Sequence, residues 1–286
     1  MTISVELDQL SRAMPALGGG SADPSRAAVP SRAGAATQVL MLVDDPDSGV
    51  PDLARAIGSD PAFATKVLAL SNSAYYGLSG RVGTLQYAIS VLGFQTIRAL
   101  AVSIAAGLDG ANAVPEGFWE QAATAATAAN TIAPLMGASS PDAFCVGLLH
   151  TLGSALLHQR APLPQLCLPH PENLDDLEQQ ELDVYGTTHS IAGAQTLESW
   201  HFPQRLCELI ANHHDLPLPD ASPLTRALHA ARTLTDLALQ PDADPTRGYD
   251  SLRRISEGRL TTAHIEPIVR RVKEQSVALL DGLRPR

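Results

Sequence analysis

His150 is the side chain whose type and setting could do chemistry in this 286-residue chain. It lies in Ala143 to Gln159, where Phe144, Leu148, Leu152 and Leu156 recur every four residues as a buried helical stripe. The histidine falls off that stripe, on a face shared with Gly147 and Ser154. Small neighbours let another helix or a ligand come close to an imidazole, a common metal ligand. The same setting also fits a core histidine with a satisfied hydrogen bond. A nucleophile is harder to build. Ser71 and Ser73 have no histidine near them in sequence, Gly-x-Ser-x-Gly is absent, and no glycine-rich phosphate loop occurs. Cys145, Cys167 and Cys207 stand alone without Cys-x-x-Cys, which argues against a zinc knuckle or disulfide framework.

The elements that must position His150 read as helices. Ser140 can cap the central one, Pro141 suits its first position, and Asp142 puts a negative charge at the positive end of the dipole. Before it, Phe118 to Met136 carries Ala122, Ala123, Ala125, Ala126, Ala128 and Ala129. So little side-chain bulk requires neighbours to pack close to the backbone. After it, Pro162, Pro164, Pro169 and Pro171 break the chain ahead of a polar helix near Asn173 to Val184. Gly186-Thr187-Thr188 opens a helix holding His189, Ile191, Gly193, Ala194 and Leu197. Pro203 starts one that ends in His213-His214-Asp215. Ser222-Pro223 starts another, with Leu224, Leu228, Ala231 and Leu234. A loop from Pro241 to Gly248 and a terminal helix from about Thr262 to Leu280 follow.

Upstream, order is expected from near Gln38, with a helix over Pro51 to Ile57. Asp60-Pro61 gives a cap and a first-turn proline for a helix to about Ser71. Asn72 to Gly77 reads as a turn with Tyr75 and Tyr76 in a packed corner. Thr84 caps a helix stopped by Gly93, and Thr96 starts the next, which ends at Gly107 with Ile97, Leu100, Ala101 and Ile104 on one face. Asp109 to Pro115 is a linker. Met1 to about Gly34 is glycine-, serine- and proline-rich and reads as a flexible leader. With no alternating strand pattern and no internal repeat, the fold class is all-α.

Composition narrows the function. Apolar residues make up 45% and aromatics 4%, and the formal net charge is −10 from 20 basic and 30 acidic residues. That balance argues against a nonspecific nucleic-acid binder. The basic doublets Arg253-Arg254 and Arg270-Arg271 are explained by solvated helix faces. No run of 18 apolar residues occurs, and Glu6 and Asp8 precede any hydrophobic run, so neither a membrane span nor a signal peptide is expected. The expectation is a cytoplasmic protein.

Three ordered motifs carry a family resemblance. Gly147-Leu148-Leu149-His150-Thr151-Leu152-Gly153 resembles the Gly-Leu-Leu-His-Asp-Ile-Gly signature of HD-superfamily metal phosphohydrolases, with Thr in place of the metal-binding Asp. Ser59-Asp60-Pro61 through Asn72-Ser73-Ala74-Tyr75-Tyr76-Gly77 to Gly93, and Tyr185-Gly186-Thr187-Thr188-His189 through Trp200-His201-Phe202-Pro203 to His213-His214, narrow it to the HDOD family, a regulatory branch of that superfamily. The motif residues are Asp60, Pro61, Asn72, Ser73, Tyr76, Gly77, Gly93, Trp200 and Pro203. The match runs from about Ala33 to Leu239.

The resemblance implies a multi-helix HD-like bundle with an N-terminal part of short helices. It divides the chain into a leader (1–34), an HDOD domain (35–240, with parts 35–107 and 116–240), and a loop and C-terminal helix packed on it (241–286). It also places a metal site. The early ligand falls on Gln121, the His-Asp pair on His150-Thr151, and the late acid on Arg232, with Asp236 one turn further. Gln is a poor ligand, Thr a weak one, and Arg repels a cation. His189, His213 and His214 match extra histidines of two-metal relatives. With His150 they form either a residual metal site or a hydrogen-bonded polar core, although His213 and His214, adjacent on a helix, would point about 100° apart. The implied function is a catalytically inactive module of bacterial signal transduction. It binds an unknown signalling protein or small signal, without nucleic acid, membrane or cofactor. The alternative is a residual metal-dependent phosphohydrolase acting on a nucleotide.

Overall fold

The computed structural model describes residues 31–108, 110, 113–160, 174–215, 220–240 and 244–283. The leader, up to residue 30, and Cys167 lie outside these residues. Among the described residues there is no strand. The helices are α1 (Ser31–Asp44), α2 (Val50–Gly58), α3 (Pro61–Ser71), α4 (Leu85–Leu92), α5 (Phe94–Ala105), α6 (Phe118–Met136) and α7 (Ser140–Leu149). They continue as α8 (Leu152–Arg160), α9 (Leu174–Tyr185), α10 (His189–Ser199), α11 (Gln204–Ala211), α12 (Pro223–Leu239), α13 (Thr246–Ile255) and α14 (Thr262–Leu283).

Caps set several of these boundaries. Asp60 Oδ1 accepts from the N–H of Ala62 and Phe63 at 2.8 and 3.3 Å, and Pro61 follows as the first residue of α3. Thr84 accepts from Tyr87 N–H at 3.3 Å, Thr188 from Ile191 N–H at 3.4 Å, and Ser222 from Thr225 N–H at 3.1 Å. Gly93, at φ 77°, ends α4 and begins α5. In the turn after α3, the Asn72 amide donates to Val82 O at 2.7 Å and accepts from Val82 N–H at 3.0 Å, which closes the loop. Gly77 takes φ 66°, and Tyr75 packs edge-on against Tyr76 with centroids 4.9 Å apart.

Several expected boundaries move. α1 starts at Ser31, ahead of Gln38, because Ala35, Ala36, Val39 and Leu40 have core to bury in. α5 starts at Phe94, not Thr96, because Gly93 makes the turn by itself. The cap of α7 is Ser139, whose hydroxyl accepts from Asp142 N–H at 3.4 Å, while Ser140 Oγ donates to Asn130 O at 3.3 Å. The stretch expected as loop to Gly248 gives way at Thr246 to α13, which buries Leu252.

The helix expected over Ala143 to Gln159 is broken. α7 ends at Leu149 and α8 begins at Leu152. The ring Nδ1 of His150 lies 2.8 Å from Gly147 O, the carbonyl that a continuing helix would offer to the Thr151 N–H. A side chain that takes a backbone acceptor competes with the helix at that point.

The core has two parts threaded by α6. Its first half joins α2 to α5, α7, α10 and α11; its second half, from Ala128, joins α12, α13 and α14. α14 also packs on α3 and the Tyr75 corner. Arg98 on α5 is buried, pairs with Asp44 of α1, and lies 5.0 Å over the Phe202 ring. Two glycines allow the approaches that matter for the site. A Cβ at Gly147 would stand 2.7 Å from Ala125 O, so α7 rides directly on the alanine backbone of α6. A Cβ at Gly153 would overlap the His189 carbonyl and stand 2.8 Å from Gly193 N, so α8 lies against the start of α10.

Candidate functional site

Those close approaches bring residues from several helices and their ends together. His150 sits in the break between α7 and α8, His189 is the first residue of α10, and His213 and His214 occupy the turn after α11. Gln121 comes from α6, and Arg232, Thr235 and Asp236 come from α12. Gln121, His150, Thr151, His213, His214, Arg232, Thr235 and Asp236 line one cavity. It holds about 10 Å³, room for about one water molecule or a bare ion. The residues aligned by sequence as Gln121, His150, Thr151 and Arg232 are thus neighbours in space. Asp60, Pro61, Asn72, Ser73, Tyr76, Gly77, Gly93, Trp200 and Pro203 do not line this cavity; they lie at helix ends and turns.

The pair His213-His214 departs from expectation. α11 ends at Ala211, so the two rings are not held at helical angles. Their centroids are 4.0 Å apart with planes 41° from each other. The His213 ring meets His150 at 5.6 Å and His189 at 5.5 Å, both edge-on. Both members of the pair therefore share one cluster.

Hydrogen bonds fix the tautomers. His150 Nδ1 is 2.8 Å from Gly147 O, and His213 Nδ1 is 2.6 Å from Ile210 O. A carbonyl only accepts, so both rings carry the proton on Nδ1 and a lone pair on Nε2. His189 Nδ1 lies 2.8 Å from Glu181 Oε2, which also accepts from the His189 N–H at 2.9 Å. The same oxygen is therefore the acceptor for the ring, and His189 Nε2 bears a lone pair. From the other side, Arg232 Nη2 donates to His214 Nδ1 at 2.5 Å, which places the His214 proton on Nε2. His189 Nε2 and His214 Nε2 are 2.7 Å apart, the length of a hydrogen bond. The result is a chain from Arg232 through His214 and His189 to Glu181, with one proton in every gap. Arg232 also donates to His213 O.

The cluster is electrostatically suited to neutral imidazoles. Burial, then the Arg232 charge, pushes the His150 pKa down to about 3. The same two causes lower His214, while His213 is held well down by burial and then His214. His229, one turn before Arg232 on α12, falls to about 4 for the same reasons as His150. Burial lowers Arg232 only to about 10, with Asp236 and Glu178 opposing the fall, so its guanidinium stays charged near neutral pH. His213 Nε2 and Thr151 Oγ1 are buried without a hydrogen-bond partner.

By number and spacing, His189, His213 and His214 could hold a metal, since one ligand atom from each lies within 4.8 Å of the others. The hydrogen bonds oppose it. Two nitrogens on a tetrahedral ion with bonds of about 2.0–2.1 Å stand roughly 3.3 Å apart. Here the His189 and His214 nitrogens are 2.7 Å apart with a proton between them, beside a guanidinium. In this arrangement the residues do not fit a divalent ion.

Glu181 and His229 escaped the sequence reading. Glu181 follows Leu177 by four residues on an otherwise polar helix, and both are buried. An acid in line with the apolar stripe of a polar helix was the available signal.

The HDOD domain family model matches residues 29–216, about two thirds of the chain. The fold is similar to that of an HDOD domain protein of unknown function from Geobacter sulfurreducens, with TM-score 0.61 and 18% identity over 97% of this chain and 95% of that one. It is similar to a Shewanella amazonensis SB2B protein provisionally described as a phosphohydrolase, with TM-score 0.65 and 23% identity over 88% of this chain and 93% of that one. A Marinobacter aquaeolei VT8 protein provisionally described as a signal transduction protein gives TM-score 0.66 and 24% identity, over 98% of this chain and 66% of that one. At these identities the likeness is one of fold. An uncharacterized protein of Treponema pallidum (strain Nichols) is 26% identical over 186 residues, 63% of this chain and 36% of its own length. The chain thus spans about a third of that curated relative.

Proposed function

Because this chain belongs to the HDOD domain family, we propose that it is a catalytically inactive regulatory module. It acts by binding a signalling protein or a small signal and passing on a conformational change. The observation that carries this reading is the cavity where the resemblance implies a metal: it holds about 10 Å³ and is lined by Gln121, Thr151 and Arg232. Hydrolysis of a phosphoester in this superfamily needs a cation that activates water and neutralises phosphoryl charge. A glutamine and a threonine are poor substitutes for histidine and aspartate ligands, and the arginine already supplies a positive charge. A nucleotide is also far larger than the space beside His150. The provisional signal-transduction description of the Marinobacter protein agrees with this reading. The net charge of −10 favours a protein or small-molecule partner over nucleic acid; the proposed setting is the cytoplasm of a bacterium. No single helix among the described residues is long and apolar enough to cross a membrane.

A second reading, a residual metal-dependent phosphohydrolase, is favoured by the spacing of His189, His213 and His214. The two are separated by incubating purified protein with Mg²⁺, Mn²⁺, Fe²⁺ or Zn²⁺ and nucleoside triphosphates, cyclic dinucleotides or guanosine polyphosphates. The expected result is no turnover with any metal. Metal-dependent turnover lost in His150→Ala would overturn the regulatory reading.

A further inference from the structure

We infer that Arg232 is a built-in cation that locks a histidine cluster otherwise prepared for a divalent metal, and that its guanidinium is what keeps the ion out. The inference deepens the reading of an inactive site and rests on that site's geometry.

Three of the four rings are set as metal-binding histidines are set. His150 donates Nδ1–H to Gly147 O, His213 to Ile210 O, and His189 to Glu181. Each leaves an Nε2 lone pair. Metal-ligating histidines are held this way, by a carbonyl or carboxylate on the ring nitrogen that does not bind the ion. His213 Nε2 is a buried lone pair with no partner.

The fourth ring breaks the pattern, and Arg232 is the reason. A guanidinium has only donors, so its bond to His214 Nδ1 forces that nitrogen to be the acceptor. The His214 proton must then sit on Nε2, in the 2.7 Å gap to His189 Nε2. A metal bridging the two rings would have to sit between those same nitrogens. Arg232 thus excludes the ion twice, by charge and by dictating the tautomer. Without the guanidinium, His214 can carry its proton on Nδ1. Two facing Nε2 lone pairs then repel, and an ion between them removes the repulsion.

The test uses the untagged 286-residue chain, dialysed against Zn²⁺ or Mn²⁺, with bound metal read by mass spectrometry and affinity by calorimetry. Wild type should hold far less than one ion per chain. Arg232→Ala and Arg232→Gln remove the charge and should bind about one Zn²⁺ per chain, at least about tenfold tighter than wild type. Arg232→Lys keeps the charge and should remain metal-poor. Adding His189→Ala to either neutral variant should abolish the gain. Circular dichroism checks that each variant is helical, and Arg232→Gln serves if Arg232→Ala does not fold. Two results would overturn the inference: stoichiometric, His189-dependent metal in wild type, or no tighter binding in either neutral variant. Metal in wild type without turnover sinks this inference and leaves the regulatory reading standing. Turnover sinks that reading whatever the arginine does.

Discussion

Gly153 and His189 touch backbone to backbone, α8 against the first residue of α10, with no room for a Cβ between them. This contact carries His189 to the histidine cluster across a sequence gap that includes residues 161–173. Gly153→Ala should therefore destabilise the fold by about 1–3 kcal/mol or more, since neither backbone can yield. Urea unfolding of purified protein measures it. A neutral result would mean that the two helices can slide apart.

Leu148 and Leu152 are 3% and 1% exposed on the two sides of the His150 break. Truncating either to alanine should cost about 2–5 kcal/mol. His150→Ala should cost less, although the ring is buried, because the freed Gly147 carbonyl can accept the Thr151 N–H and let α7 run into α8. A ranking from chemical denaturation with His150 as the most sensitive of the three would contradict this.

Stability should fall on acidification from about pH 6.5 toward pH 3. His150 drops from its ordinary 6.5 to about 3 in the folded state, and His229 to about 4. In that window the unfolded chain binds more protons than the native one, so stability rises with pH, by up to about 1.4 kcal/mol per pH unit for each such group. Thermal midpoints at pH 7.5 and 5.5 test the sign. His150→Gln should flatten the slope, and an unchanged slope would show that His150 does not carry its share.

The parts before Gly107 and after Phe118 should unfold together. α14 packs on α6 and on α3, and Arg98 ties α1 to the turn before α11 through Asp44 and Phe202. One calorimetric transition is expected. Two resolved transitions, or a proteolytic fragment that stays folded alone, would count against it.

The sequence by itself determined the helical class and much of the helix layout, because those depend on residues three or four apart. α6 occupies Phe118–Met136 as its alanine pattern indicates, and Asp60, Thr84 and Ser222 cap as their side-chain oxygens allow. The three motifs also marked the family. Only the tertiary structure decided what the histidines do. The break at His150 follows from one ring bonding one carbonyl in place of the next turn. His213 and His214 converge because α11 stops at Ala211 and frees them from helical angles. Glu181, on a helix that reads as merely polar, proves to anchor His189. Arg232 reaches His214 from another helix, 18 residues further along the chain. Such contacts are set by how backbones approach in space, through Gly147 and Gly153, and no local periodicity encodes which proton ends between which two nitrogens.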